Sequence, residues 1–265
     1  MTEKRLTLFR YPGGKSRIRH WVVEHFPSHG RYVEGFAGAI GLLLRKPRCG
    51  DESLIEIDSQ QARLLKILRD DHAALVDRLR PIRYGEDEFV TALGRLRAGD
   101  HDGELELAAL VYTVRKQSRG GEAEVFSRCP DRDTQAWWDN GVASIPLISE
   151  RLRGVEIYHG DSLELLPALD GPDVLHYLDP PYVHGRRSNT RLYGPHEMTE
   201  CDHRRLCGVI KGLMGRVILS GYTNPIYEEE LADWGTESRE FWLSARYNRD
   251  ARSRSKKTET LWFNF

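Results

Sequence analysis

The chain has little cysteine, almost no net charge and no long apolar run, and each shortage removes a class of protein. Its 265 residues include four cysteines, Cys49, Cys129, Cys201 and Cys207, and no two form a Cys-x-x-Cys pair. That scatter argues against a zinc knuckle or a disulfide framework and fits a reducing, cytoplasmic setting. No stretch approaches about 18 consecutive apolar residues, so no membrane span is expected. The opening "MTEKRLTLFRYPGGKSR" lacks the apolar core of a secretion signal. The formal net charge is −1, so any nucleic-acid partner has to be held by local basic patches. No internal repeat or low-complexity tract is present.

What is present reads as an α/β chain. Charged residues make up 30% and apolar ones 40%, which is the balance of a globular protein with a substantial core. The length suits one large domain, or a domain with a sizeable insertion. Short apolar runs end abruptly in acids: "RYVEGF" at Glu34, "SLIEID" at Asp58, "GVEIYHGD" at Asp161 and "DVLHYLD" at Asp179. "RVILSGY", Arg216–Tyr222, is one more strand, and the C-terminal stretch reads as two β segments flanking a basic loop. Between the strands, "AGAIGLLLRK" reads as a glycine turn and helix, and "SQQARLLKILRDD" as a helix capped by Ser59.

Strands alternating with helices predict a Rossmann-like, largely parallel sheet with helices on both faces. Ligands of such sheets bind at the carboxyl ends of the strands, where all four acids fall. The βα rhythm stops after residue 69 and resumes at 155. The span 70–154 therefore reads as a mainly helical insertion of the target-recognition type, and 1–69 with 155–265 as the catalytic domain.

Four features carry chemistry. In "FRYPGGKSR", Pro12-Gly13-Gly14 makes a tight turn that lets backbone approach a ligand, and Lys15 opens a helix. A phosphate-binding P-loop is excluded, because the position where it needs its first glycine is Phe9. In "VEGFAGAIG", Gly35, Gly38 and Gly41 are spaced G-x-x-G-x-x-G, not as the dinucleotide fingerprint. The turn still permits a cofactor close to backbone, and Asp58 beyond the second strand is placed to accept ribose hydroxyls. A nucleoside without phosphates fits that pattern, and S-adenosyl-L-methionine is one.

The third feature is "DPPY", Asp179–Tyr182. Pro180 and Pro181 remove two backbone donors and stiffen the loop, so the Asp179 carboxylate and the Pro180 carbonyl form two fixed acceptors. Two acceptors suit an exocyclic amine, and Tyr182 offers a face on which a base can stack. The fourth is basic. Arg115, Lys116 and Arg119 cluster in the insertion, Arg186, Arg187 and Arg191 follow the DPPY loop, and Arg246 to Lys257 holds six more cations. Clusters beside turn-rich segments point to phosphate contacts. Gln117, Ser118, Gln135 and Asn140 are polar enough to read bases, whereas Trp137 and Trp138 read as packing residues.

"FRYPGGKS", "YVEGFAGAIG", "IEID", "HGDSLELL", "YLDPPY" and "SKKTETLWFNF" occur in this order. With them the chain resembles the Dam-type, phage-related DNA N6-adenine methyltransferases over nearly its whole length outside the insertion. The resemblance implies that Asp179, Pro180, Pro181 and Tyr182 form the catalytic loop. It also implies that Tyr11, Lys15, Phe36, Asp58 and Asp161 contact or border S-adenosyl-L-methionine, with Gly14, Gly35, Ala37, Gly38 and Asp179 completing the cofactor set. Double-stranded DNA is the implied partner, contacted through Arg115, Lys116, Arg119, Arg186, Arg252, Lys256 and Lys257. No metal is implied, and a monomer is expected. The family commonly has Pro where this chain has Gly35 and more glycine near Ala39-Ile40.

Overall fold

A computed structural model describes residues 6–11, 18–129, 133–182, 194–242 and 256–265. Gly14, Lys15, Arg186 and Arg252 lie outside the described residues, as do Arg187, Arg191, Arg246, Arg249 and Arg254. The chain divides into two compact units, Met1–Phe26 with Ala37–Ser162, and Pro27–Phe36 with Leu163–Phe265. Among the described residues, seven strands form one mixed sheet. No helix among the described residues is long and apolar enough to cross a membrane.

In the first unit, helix α1 (Arg19–Glu24) precedes strand β2 (Asp51–Glu56), which pairs in parallel with β3 (Glu156–His159) in the register Ser53↔Glu156 to Glu56↔His159. The link between β2 and β3 holds six helices: α2 (Ser59–Asp70), α3 (His72–Leu79), α4 (Glu86–Ala98), α5 (Gly103–Gln117), α6 (Thr134–Ala143) and α7 (Ile145–Leu152). Helix α2 buries Ala62, Leu64, Leu65 and Leu68 and packs on α5 and α7. In α5 every residue from Leu107 to Val114 is buried, and α2, α3 and α4 surround it. A helix apolar on all sides is a core element. Each such leucine contributes about 1.5–3 kcal/mol over exposure, so α5 holds this unit together.

Helices α3 to α7 fill the span read as an insertion, and they cluster with β2 and β3 in one unit. Helix α6 is started by Asp133, whose carboxylate accepts from Ala136 N at 2.8 Å.

In the second unit, β1 (Arg31–Glu34), β4 (Val174–Leu178) and β5 (Arg216–Gly221) are parallel neighbours. All five residues of β4 are buried, which is why it reads as a continuous apolar run rather than an alternation. Two antiparallel strands, β6 (Gly235–Trp242) and β7 (Lys256–Phe263), complete this part, β7 pairing with both β5 and β6. They are the two expected C-terminal β segments. Helices α8 (Ser162–Leu165), α9 (Glu200–Lys211) and α10 (Pro225–Glu230) complete the chain. The strand order is β3-β2-β1-β4-β5-β7-β6. Sequence reading missed α9, although Thr199 and Asp202 form a capping box at its start.

Two local expectations fail. "GLLLRK" after β1 forms turns, not a helix. Gly38 has φ +48° and Ile40 φ +52°, and Pro47 follows closely, so no helical run can propagate. Helix α2 is capped by Asp58, whose Oδ1 accepts from Gln60 N (2.9 Å) and Gln61 N (3.3 Å), so Ser59 is already inside the helix.

Candidate functional site

The first constellation is built where β2 ends, entirely within the first unit. Glu56 is the last residue of the strand and is 5% exposed. Its Oε2 accepts from Gly38 N at 2.8 Å and its Oε1 from Asp58 N at 2.9 Å. Ala37 N donates to Ile55 O (3.0 Å), and Gln61 Nε2 donates to Gly38 O (2.6 Å). The glycine turn is thus stitched to the strand end. A Cβ on Gly38 would lie 2.9 Å from the Tyr11 ring, so only glycine lets that ring close over the turn. Ile40, a buried β-branched residue at positive φ, stores backbone strain beside it.

Burial pushes the Glu56 carboxyl up to about 7, against the two backbone donors and Arg115, which favour the charged form. Each of its oxygens already takes one amide proton, and each has a second lone pair. Such a carboxylate can accept a pair of hydroxyls. Ile57, the next residue, is apolar and 43% exposed.

Asp58, the sequence-based ribose acceptor, is differently committed. One oxygen caps α2 and the other accepts from Arg115 Nη2 at 2.9 Å. Arg115 also donates to Gly121 O (3.1 Å) and lies 5.2 Å from the centre of the Tyr11 ring. The structure therefore gathers Tyr11, Ala37, Gly38, Asp58 and Arg115, and adds Glu56. The signal for Glu56 was visible as the last acid inside the apolar run "LIE". Asp161 lies half-buried two positions beyond β3, as Asp58 does beyond β2.

Arg115 and Lys116 are misplaced as phosphate contacts. Arg115 is half-buried and already paired. Lys116 is 6% exposed, with its ammonium 4.3 Å from the Trp137 ring centre. Burial, helped by the charge of Arg10, pulls its pKa down to about 8. The charged form is penalised below that pH, and the penalty is relieved as pH rises toward the ordinary 10.5. Lys116→Met should therefore raise the unfolding temperature by roughly 3 °C at about pH 6, and by little near pH 10.5. Thermal scans at both pH values check this.

Arg119 is exposed, as a phosphate contact requires. Gln117 is fully buried, its amide accepting from Gly85 N (3.0 Å) and donating to Arg83 O (2.9 Å), so it holds a loop and reads no base. Gln135 accepts from Tyr84 N at 3.0 Å. Trp138 is buried and Trp137 packs edge-on against Tyr84, as packing residues should.

The second constellation lies at the ends of β1, β4 and β5, within the second unit. Gly35 N donates to Tyr177 O at 3.0 Å and locks the end of β1 to β4. Asp179 follows β4 and is half-buried, while Pro180, Pro181 and Tyr182 are buried. Phe36 is half-buried. On β1 Tyr32 donates to buried Glu34 (2.9 Å), and between β4 and β5 the Tyr177 and Ser220 hydroxyls are bonded at 2.9 Å. The Tyr182 hydroxyl donates to Glu259 Oε1 at 2.7 Å, and its ring lies 4.3 Å from that of Tyr222. Lys257 Nζ sits 4.5 Å over the Tyr222 ring, and burial lowers its pKa against the pull of Glu259. Lys257 is therefore a half-buried part of this site, not a surface cation. Lys256 is exposed and paired with Glu240 at 2.8 Å across β6 and β7.

Fold and site thus define an α/β protein with a mixed seven-stranded sheet and acidic groups at its strand ends. Comparison with protein-family models and with curated proteins found no match.

Proposed function

We propose that this protein transfers a methyl group from S-adenosyl-L-methionine to N6 of an adenine turned out of double-stranded DNA. The observation that carries the reading is the Asp-Pro-Pro-Tyr loop at the carboxyl end of the buried strand β4, with Tyr182 anchored by its hydroxyl. The bound cofactor supplies a methyl group made electrophilic by its sulfonium. The adenine amine is a poor nucleophile, because its lone pair is delocalised into the ring. The Asp179 carboxylate and the Pro180 carbonyl accept its two N–H groups and favour a pyramidal nitrogen. Positive charge grows on that nitrogen as it attacks, so fixed acceptors stabilise the transition state more than the ground state. Tyr182 stacks on the extruded base.

The residues present fit the cofactor. Glu56 has lone pairs for both ribose hydroxyls, Gly38 keeps the turn open to close approach, and exposed Ile57 offers an apolar surface to the adenine ring. Glu56 takes the ribose role that sequence spacing gave to Asp58, and Asp58 with Tyr11 supports it. Arg119 and Lys256 remain as surface cations for DNA phosphates.

The test is transfer of a radiolabelled methyl group to unmethylated genomic DNA and to RNA, followed by nucleoside analysis. N6-methyladenine in DNA is the expected product. Label on cytosine N4 or only in RNA would change the substrate, and no label anywhere would overturn the reading.

A further inference from the structure

We propose that Glu259 is a positioning residue for Tyr182, and that β7 braces the aromatic pair of the site; this rests on the methyltransferase reading. Glu259 is 1% exposed and far from the DPPY loop in sequence, inside the C-terminal "SKKTETLWFNF" stretch. A carboxyl group so deeply buried is retained only where hydrogen bonds satisfy it. The bond that Tyr182 donates to it is short, at 2.7 Å, and links residues 77 positions apart.

Strand geometry explains how β7 reaches both tyrosines. Side chains two apart share a face, so Lys257 and Glu259 point the same way. Glu259 holds the Tyr182 hydroxyl, and Lys257 lies over the face of Tyr222, whose ring is 4.3 Å from that of Tyr182. The brace grips Tyr182 by its hydroxyl edge. A phenol held at its edge keeps its ring in one orientation and leaves a face for stacking. Tyr182 follows two prolines at the end of β4, on a loop rather than a strand. A loop side chain without such a hold samples several rotamers, and misplacement by about 1 Å can cost on the order of 100-fold in rate. Glu259 is thereby assigned to the orientation of the stacked base and not to its chemistry.

Single-turnover methyl transfer to unmethylated genomic DNA should separate the roles. Tyr182→Phe and Glu259→Ala should each slow transfer at saturating substrate by about tenfold or more. The Kd for S-adenosylhomocysteine and the KM for the cofactor should stay within about twofold, a split that general loosening of the fold would not produce. The double variant should be no slower than either single one, because both remove the same bond. Glu259→Gln keeps an acceptor oxygen and should transfer at close to the wild-type rate. Wild-type-like transfer by Glu259→Ala, or additive losses in the double variant, overturns the proposal while the methyltransferase reading stands. If Glu259→Ala does not fold, Tyr182→Phe and Glu259→Gln decide: a slow former with a normal latter supports the brace, and equal rates overturn it. A wild-type protein without transfer overturns the methyltransferase reading and the proposal with it.

Discussion

Replacing Asp179 with alanine is expected to lower single-turnover methyl transfer by about 1,000-fold, while S-adenosylhomocysteine binds within about threefold of wild type. The magnitude is that of removing one preorganised partner from a developing charge, roughly 3–4 kcal/mol. Asp179 follows β4 directly, on a loop stiffened by Pro180 and Pro181. Glu34 and Glu259 are buried and accept from Tyr32 and Tyr182. Asp179→Asn should also be slow, because it keeps an acceptor oxygen but loses the negative charge that faces the positive charge growing on the substrate nitrogen. Rapid-quench transfer and calorimetric binding measure the two quantities separately. A near-normal rate for Asp179→Ala would remove the mechanism.

The second large effect belongs to Glu56. Glu56→Ala should weaken S-adenosylhomocysteine binding by about 100-fold, the worth of one or two hydrogen bonds to a charged group. It also strands the buried Gly38 N–H and the Asp58 N–H, at a cost to stability of about 1–3 kcal/mol each. The pH dependence has a definite sign. The folded-state pKa is raised from 4.5 to about 7, so the folded protein holds an extra proton in that window. Its contribution to stability is therefore most favourable below 4.5 and falls as pH rises to about 7. Ribose hydroxyls donate to the ionised form and would lower that pKa, so binding releases a proton. Affinity should rise about tenfold between about pH 6 and pH 8 and level off above. Glu56→Ala should abolish this slope, and titration calorimetry in buffers of different ionisation heat measures it. A flat wild-type profile would place the ribose elsewhere.

Much of this was legible along the chain. The strands ending at Glu34 and Leu178 are short, mostly apolar segments closed by an acid with a glycine or a proline beside it, which is local information. Asp58, by contrast, was read as a ligand group because it is the acid nearest the end of "LIEID". The structure ends β2 at Glu56 and spends Asp58 on the N-terminus of α2. An acid two positions past a strand and one before a helix satisfies both descriptions, and periodicity does not choose between them.

The cations show the limit more sharply. Arg115, Lys116 and Arg119 form one cluster in sequence, yet α5 turns Arg115 to Asp58 and Tyr11 and buries Lys116 against Trp137, while Arg119, just past the end of that helix, is exposed. Residues on a helix diverge by about 100° per position, so adjacent charges meet different neighbours. Glu259 sits inside the C-terminal stretch that carries the family resemblance, but nothing in that stretch names Tyr182 as its partner.

From the sequence alone came the α/β class, the strand ends and the stiff DPPY loop, because side-chain period and backbone restriction act within a few residues. Only the tertiary structure decided which charged groups are spent on one another. The Arg115–Asp58 pair spans 57 positions and the Tyr182–Glu259 bond 77. The partner of a buried charge is set by where the chain returns in space, and that return is a property of the packed fold.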